Sequence, residues 1–132
     1  VMQINESNYV DKAENAIKDL IEKSKNPRTG RVNIVTTSKI RNLLAMSADI
    51  YNQVLVYNSE KLDGELAGRI EYLRIRFIYE CGREQKVKEF AEKAHLLEIL
   101  KEIGPSKKNY LLFNRYMEAL VAFHKYYGGK DQ

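Results

Sequence analysis

Arg69, Arg76 and Arg83 recur every seven residues within the stretch LAGRIEYLRIRFIYECGR, residues 66–83. On a helix a seven-residue step drifts by only about 20°, so the three guanidinium groups keep to one line. Tyr72 and Tyr79 fall within the same line. Guanidinium groups grip phosphates bidentately, and aromatic rings stack on bases. The chemistry on offer is therefore recognition of a polyanion backbone. An ordinary charged flank, with arginines paired to neighbouring carboxylates, has the same pattern, and this segment alone does not separate the two.

Bond-making chemistry finds fewer tools. His95 and His124 lie on different predicted helices, and neither sits in an HExxH or other metal spacing. Cys81 has no CxxC partner, so no zinc site is expected. No local feature lowers its pKa, and it reads as a small core residue. His124, near a helix C-terminus, reads as structural or dipole-complementing. There is no Walker loop, no GxSxG elbow and no paired-glycine nucleotide fingerprint. Carboxylates are scattered among lysines in the manner of a solvated face. We expect no catalysis, no metal and no cofactor.

The elements that position the arginines are helical. Leu66, Ile70, Leu73 and Phe77 recur at steps of four, three and four, which predicts a core-facing helix over residues 59–80. Ser59 or Asp63 can cap it. A first helix is predicted over 8–25, capped by Ser7 or Asn8, with Tyr9, Ala13, Ile17, Leu20 and Ile21 inward. A second runs over 37–57 with a wide apolar face of Ile40, Leu43, Leu44, Ser47, Tyr51, Val54 and Leu55. A fourth follows a bend or cap at Gly82 and runs over 83–103, burying Val87, Phe90, Ala91, Ala94, Leu97 and Ile103. Gly104-Pro105 ends it, and Ser106 caps a fifth over 107–127, with Tyr110, Phe113, Met117, Leu120, Val121 and His124 at helical spacing. Gly128-Gly129 ends that helix and GGKDQ is a polar tail. The longest break, residues 26–36, presents Arg28, Thr29, Gly30 and Arg31 as an exposed, mobile turn. Val32, Ile34 and Val35 tuck it back.

With 132 residues, 44% hydrophobic and 30% charged, the chain suits one all-α domain spanning residues 1–132, a compact bundle of about five helices. The second and fifth helices, the most apolar, should form its centre. No apolar run approaches the roughly 20 residues of a membrane span. No signal peptide is visible, and Val1-Met2 reads as a truncated or tagged start. A single cysteine suits a reducing cytoplasm. The net charge of +4 is unevenly spread: residues 23–41 hold six basic groups and no acid, and residues 69–88 six basic groups and three acids. Lys39 and Arg41 stand in a first helical turn, where the helix dipole disfavours cations by a few tenths of a kcal/mol. Such a broken local rule points toward function.

Three blocks, TTSKIRNLL at 36–44, YLRIRFIYECGRE at 72–84 and LLFNRYMEALVAFHKYYGG at 111–129, combine unusual residues in fixed order. Together they resemble the small subunit of the type III-A CRISPR effector, the Csm complex, over residues 9–129. The resemblance implies a small all-helical protein. Several copies would stack as an inner filament beside crRNA-bound backbone subunits, touching target RNA phosphates without reading bases. Cutting would belong to other Csm subunits. In guide-directed systems base pairing reads the sequence, so such contacts can be blind to it. By matching position the resemblance assigns RNA contact to Lys39, Arg41, Arg74, Arg76 and Arg83. Arg69, just outside its block, is added by the seven-residue line. Arg74 lies off that line and could instead bridge to a neighbouring helix. Arg28 and Arg31, in a flexible loop, would serve either RNA or a neighbouring subunit. The expectation is that the flank of the third helix and the first turn of the second converge on one RNA-facing surface. Two other readings are an assembly adaptor whose arginines dock on acidic protein, and a helix-turn-helix regulator. The latter is disfavoured by the wide apolar face of the second helix.

Overall fold

The computed structural model describes residues 2–128. Val1 and the tail from Gly129 onward, including half of the expected glycine stop, lie outside the described residues. Among the described residues there are six helices and no β-strand: α1 Tyr9–Ser24, α2 Thr37–Val56, α3 Gly64–Arg83, α4 Gln85–Ala94, α5 Leu96–Glu102 and α6 Lys107–Tyr126.

Three starts are fixed by side-chain caps. Thr36 Oγ1 accepts from Lys39 N, Asp63 Oδ1 from Leu66 N at 2.9 Å, and Ser106 Oγ from Asn109 N at 3.1 Å. Asn8 occupies the cap position of α1, but its side chain turns back to accept from Asn5 N at 2.7 Å.

The expected third helix is shifted at both ends. Residues 58–63 form a turn rather than helix. Leu62 is buried, its N–H donates to the Pro105 carbonyl at 2.7 Å, and Lys107 N donates to the Glu60 carbonyl at 2.9 Å. The backbone of that segment is thus spent on the start of α6 and is unavailable to a helix. At the other end α3 runs straight through Gly82, and the break falls at Glu84, whose backbone is extended.

The expected fourth helix is two helices. Val87, Phe90, Ala91 and Ala94 share one side of a continuous helix, whereas Leu96, Ile99, Leu100 and Ile103 would fall roughly opposite at 100° per residue. All eight are buried. One straight helix cannot bury both faces in one core, so the chain reorients at His95, which adopts the left-handed conformation (φ 56°). This corrects the helix count from about five to six, and Leu97, expected inside, is only half-buried.

The helices form a closed ring: α1 packs on α6, α6 on α2, α2 on α3, α3 on α4 and α4 on α1, with α5 against α3 and α4. The most extensive pairing is α2 with α6. Phe113 of α6 sits 6.2 Å, ring to ring, from both Phe77 of α3 and Tyr110. Fully burying a phenylalanine contributes about 2–3 kcal/mol.

Buried polar groups set the register of this pair. Ser47 donates to Asn114 Oδ1, and the Tyr110 hydroxyl donates to the Ser47 carbonyl. Tyr116 donates to the Ala94 carbonyl at 2.9 Å. His124, fully buried, lies between Thr37 and Val35.

Candidate nucleic-acid interface

The helical phase of α3 decides which of its side chains meet solvent. Leu66, Ile70, Leu73, Phe77 and Cys81 are buried. Ile78, Cys81 and Gly82 line a cleft of about 250 Å³ with Ala91 of α4 and Leu97 of α5. That marks the side of α3 facing α4 and α5. Arg69, Arg76 and Arg83 lie roughly 160° around the helix from Ile78. They therefore run along the other flank, the side on which α2 packs. Tyr72 and Tyr79, 61% and 64% exposed, stand beside them.

The pairing of these arginines is slight. Arg76 is exposed and makes no ion pair or side-chain hydrogen bond among the described residues. Arg69 reaches Glu65 at 3.6 Å and Arg83 reaches Glu80 at 3.7 Å, both within one helical turn. The Arg69–Glu65 pair is exposed on both sides, and such pairs contribute about 0.2–1 kcal/mol; Glu80 is mostly covered, but at 3.7 Å its contact with Arg83 is longer than a hydrogen bond, so a phosphate can compete for either guanidinium.

The remaining sequence-selected cations are dispersed. Arg74 is half-buried on the opposite flank, on the side of Ile78 and Cys81, and its Nε holds Glu71 at 3.0 Å. Among the described residues it bridges to no other helix. Lys39 pairs with Glu84, which brings the first turn of α2 beside the end of α3 and next to Arg83. Arg41 does not join it. Residues two apart on a helix point about 160° apart, and Arg41 is exposed on the side of α2 away from Lys39. The structure thus brings Lys39 to the Arg83 end of α3, turns Arg41 away from it, and sets Arg74 on the flank opposite the Arg69–Arg76–Arg83 line.

Two features were missed. Ile75 and Ile78 are 59% and 48% exposed and, with Tyr72 and Tyr79, make an apolar crest on the outer side of α3. Their signal was present: they are apolar but fall off the phase of the core stripe. Lys86 Nζ donates to the Asn33 carbonyl at 2.7 Å, tying the 26–36 connection to α4. No sequence pattern announces such a contact.

Among the described residues no three His, Cys, Asp or Glu side chains are grouped to hold a metal ion. Burial pushes the Cys81 thiol pKa up, aided by the nearby Glu92 charge, which suppresses the reactive thiolate. No helix among the described residues is long and apolar enough to cross a membrane.

Fold and surface together define a small helical-bundle protein that presents an arginine- and tyrosine-bearing helix flank. The family model described as Csm2 Type III-A matches residues 11–130. The chain is 44% identical over 128 residues to the CRISPR system Cms protein Csm2 of Streptococcus thermophilus, covering 97% of this chain and 98% of that protein. It is 42% identical over 98 residues to the protein of the same name from Mycobacterium tuberculosis, covering 74% and 79% of the two chains. The Enterococcus italicus protein of that name is 33% identical over 122 residues, 86% of this chain and 87% of its own. The chain belongs to the type III-A Csm2 family.

Proposed function

We propose that this chain is a non-catalytic small subunit of a type III-A CRISPR ribonucleoprotein, working in the cytoplasm in antiviral defence. Copies of it line the inner filament and hold the phosphate backbone of target RNA, or of its duplex with crRNA, without reading bases. Membership of the Csm2 family supports the complex and its other Csm subunits as partners. The observation that carries the RNA role is the α3 flank: Arg76 without an ion pair among the described residues, Arg69 and Arg83 held only by contacts of 3.6 and 3.7 Å, and Tyr72 and Tyr79 exposed beside them. A line of guanidinium groups with interleaved aromatic rings matches a strand whose charge repeats and whose bases differ.

Fluorescence anisotropy with single-stranded RNA tests this. If about four phosphates are neutralised, log K falls against log salt with a slope near −3, alike for unrelated sequences. Replacing Arg69, Arg76 and Arg83 together by Ala abolishes most of the binding and leaves helicity intact. Wild-type affinity in that variant would sink the flank as the site.

The apolar crest of Tyr72, Ile75 and Ile78 supports a second reading, docking on a protein subunit, because exposed aliphatic groups gain little from a phosphate strand. RNase treatment of complexes purified from the native host separates the two. An adaptor stays with its Csm partners when the RNA is gone; an RNA-held subunit is released.

A further inference from the structure

The topology gathers separate cationic segments at one end of the bundle. The end of α1, the connection into α2, the first turn of α2, the end of α3, the start of α4 and the last turn of α6 meet there. Three contacts fasten this end: Lys86 to the Asn33 carbonyl, Lys39 to Glu84, and His124 to the Val35 carbonyl. Segments 22–41, 80–88 and 124–128 carry ten lysines and arginines against three glutamates. The whole chain is only +4, so the rest is net negative. Two of the three glutamates are already engaged, Glu84 with Lys39 and Glu80 with Arg83.

The 26–31 turn is built rather than loose. Asn26 Oδ1 accepts from the amides of Arg28 at 2.8 Å and Thr29 at 3.2 Å. Asn26 N donates to the Arg31 carbonyl and Gly30 N to the Asn26 carbonyl, both at 2.8 Å. Thr29 Oγ1 accepts from Arg31 N at 3.2 Å, and Gly30 supplies the positive φ of 70° that closes the turn. The side chains of Arg28 and Arg31 are exposed and make no ion pair or hydrogen bond among the described residues. A turn whose backbone is satisfied internally loses less conformational entropy when its side chains engage a ligand.

We infer that this end of the bundle is a second phosphate-contact surface. A nucleic-acid strand leaving the α3 flank at Arg83 passes Lys39 and is held again by Arg28 and Arg31. The ligand class rests on the RNA role proposed above, but the residues are different ones. Nucleic acid suits the surface better than an acidic protein does, because protein interfaces have an apolar centre depleted of charge. The exposed aliphatic side chains lie elsewhere, Val10, Leu55 and Val56 at the other end and Ile75 and Ile78 along α3. The one large exposed apolar group here is aromatic, Tyr126 at 77% exposure, which can stack on a base.

The test is anisotropy titration of an oligouridylate of about 20 nucleotides, a length chosen to outrun the roughly 20 Å from Arg69 to Arg83. Wild type, Arg28→Ala/Arg31→Ala and the α3 triple variant are compared at several salt concentrations. The Arg28 and Arg31 side chains make no ion pair or hydrogen bond among the described residues, and alanine keeps the backbone bonds of the turn, so the double variant keeps the wild-type melting curve. It is expected to bind about tenfold more weakly, with a salt slope shallower by about 1.4, two single-strand phosphate contacts. Wild-type affinity and slope in the double variant overturn the inference and leave an acidic protein as the partner of the turn. Loss in the double variant with none in the α3 triple variant sinks the flank and keeps this end.

Discussion

His124, in the last turn of α6, lies with Nε2 2.7 Å from the carbonyl oxygen of Val35, at the foot of the connection into α2. A carbonyl only accepts, so Nε2 carries the proton and donates. The other ring nitrogen meets the Thr37 hydroxyl at 3.1 Å, and both His124 and Thr37 are fully buried. One imidazole thereby joins α6, the start of α2 and the segment bearing Arg28 and Arg31.

Removing that imidazole strands two buried polar groups as well as leaving a cavity. Each unsatisfied group costs about 1–3 kcal/mol. His124→Ala is expected to lower unfolding free energy by about 4 kcal/mol in urea titration, and Thr37→Val by about 1 kcal/mol. If His124→Ala costs less than Thr37→Val, the imidazole is not the joint described here.

Alkaline pH should weaken the fold through Tyr110 and Tyr116. Burial is the main cause that pushes both phenols above the ordinary value of 10.0, although the Tyr110 bond to Ser47 acts the other way. The folded state keeps these protons when the unfolded chain has lost them, so their contribution is complete below about pH 10 and is lost as pH rises beyond it. Urea midpoints measured from pH 8 upward are expected to be flat to about pH 10 and then fall. Tyr116→Phe, less stable at neutral pH by about 1–2 kcal/mol from its lost bond to the Ala94 carbonyl, should show a shallower alkaline decline.

Arg74 and Arg76 are two residues apart and should behave oppositely. Arg76→Ala removes from the proposed RNA flank a guanidinium that has no ion pair among the described residues, and is expected to reduce the salt slope by about 0.7, one single-strand contact. Arg74→Ala acts on the other flank, where its pair with Glu71 is a local one, and should leave affinity within about twofold. An equal loss in both would argue for diffuse charge attraction rather than a defined flank.

His95 carries the one positive φ among the described non-glycine residues. A left-handed residue other than glycine costs about 1–2 kcal/mol, and the exposed pair of His95 Nδ1 with Glu98 at 3.1 Å returns little of it. His95→Gly is therefore expected to stabilise the protein by about 0.5–1 kcal/mol after the entropic cost of glycine. His95→Pro should be strongly destabilising, since the His95 N–H bonds to the Glu92 carbonyl at 3.2 Å and proline has none. A lower melting temperature for His95→Gly than for wild type would refute the strain at this joint.

The break at His95 was in principle legible. The apolar phase reverses between Ala94 and Leu96, but no Gly or Pro marks the place, and a search for breakers passes over it. Gly82 misled in the opposite sense: it sits within α3 facing solvent, and the turn falls at Glu84 because α4 must fold back onto the core. The start of α3 was misplaced because residues 58–63 spend their backbone bonds on Pro105 and Lys107, partners more than forty positions away. The arginine line on α3 was readable from spacing alone, since three residues at seven-residue steps keep one side of any helix.

The sequence by itself determined the helical class, the inward stripes of α1, α3 and α6, that of α2 except for Leu55, which is 45% exposed, and the shared line of Arg69, Arg76 and Arg83. These follow from periodicity, which is local and needs no knowledge of neighbours. Only the tertiary structure decided that Lys39 meets Glu84 at the end of α3 while Arg41 turns away, that Arg74 stays with Glu71, and that basic segments far apart in the chain share one end of the bundle. Those facts depend on which helix lies against which. That is set by the summed burial of many side chains and a few buried hydrogen bonds, such as His124 to Val35, rather than by any single stretch of sequence.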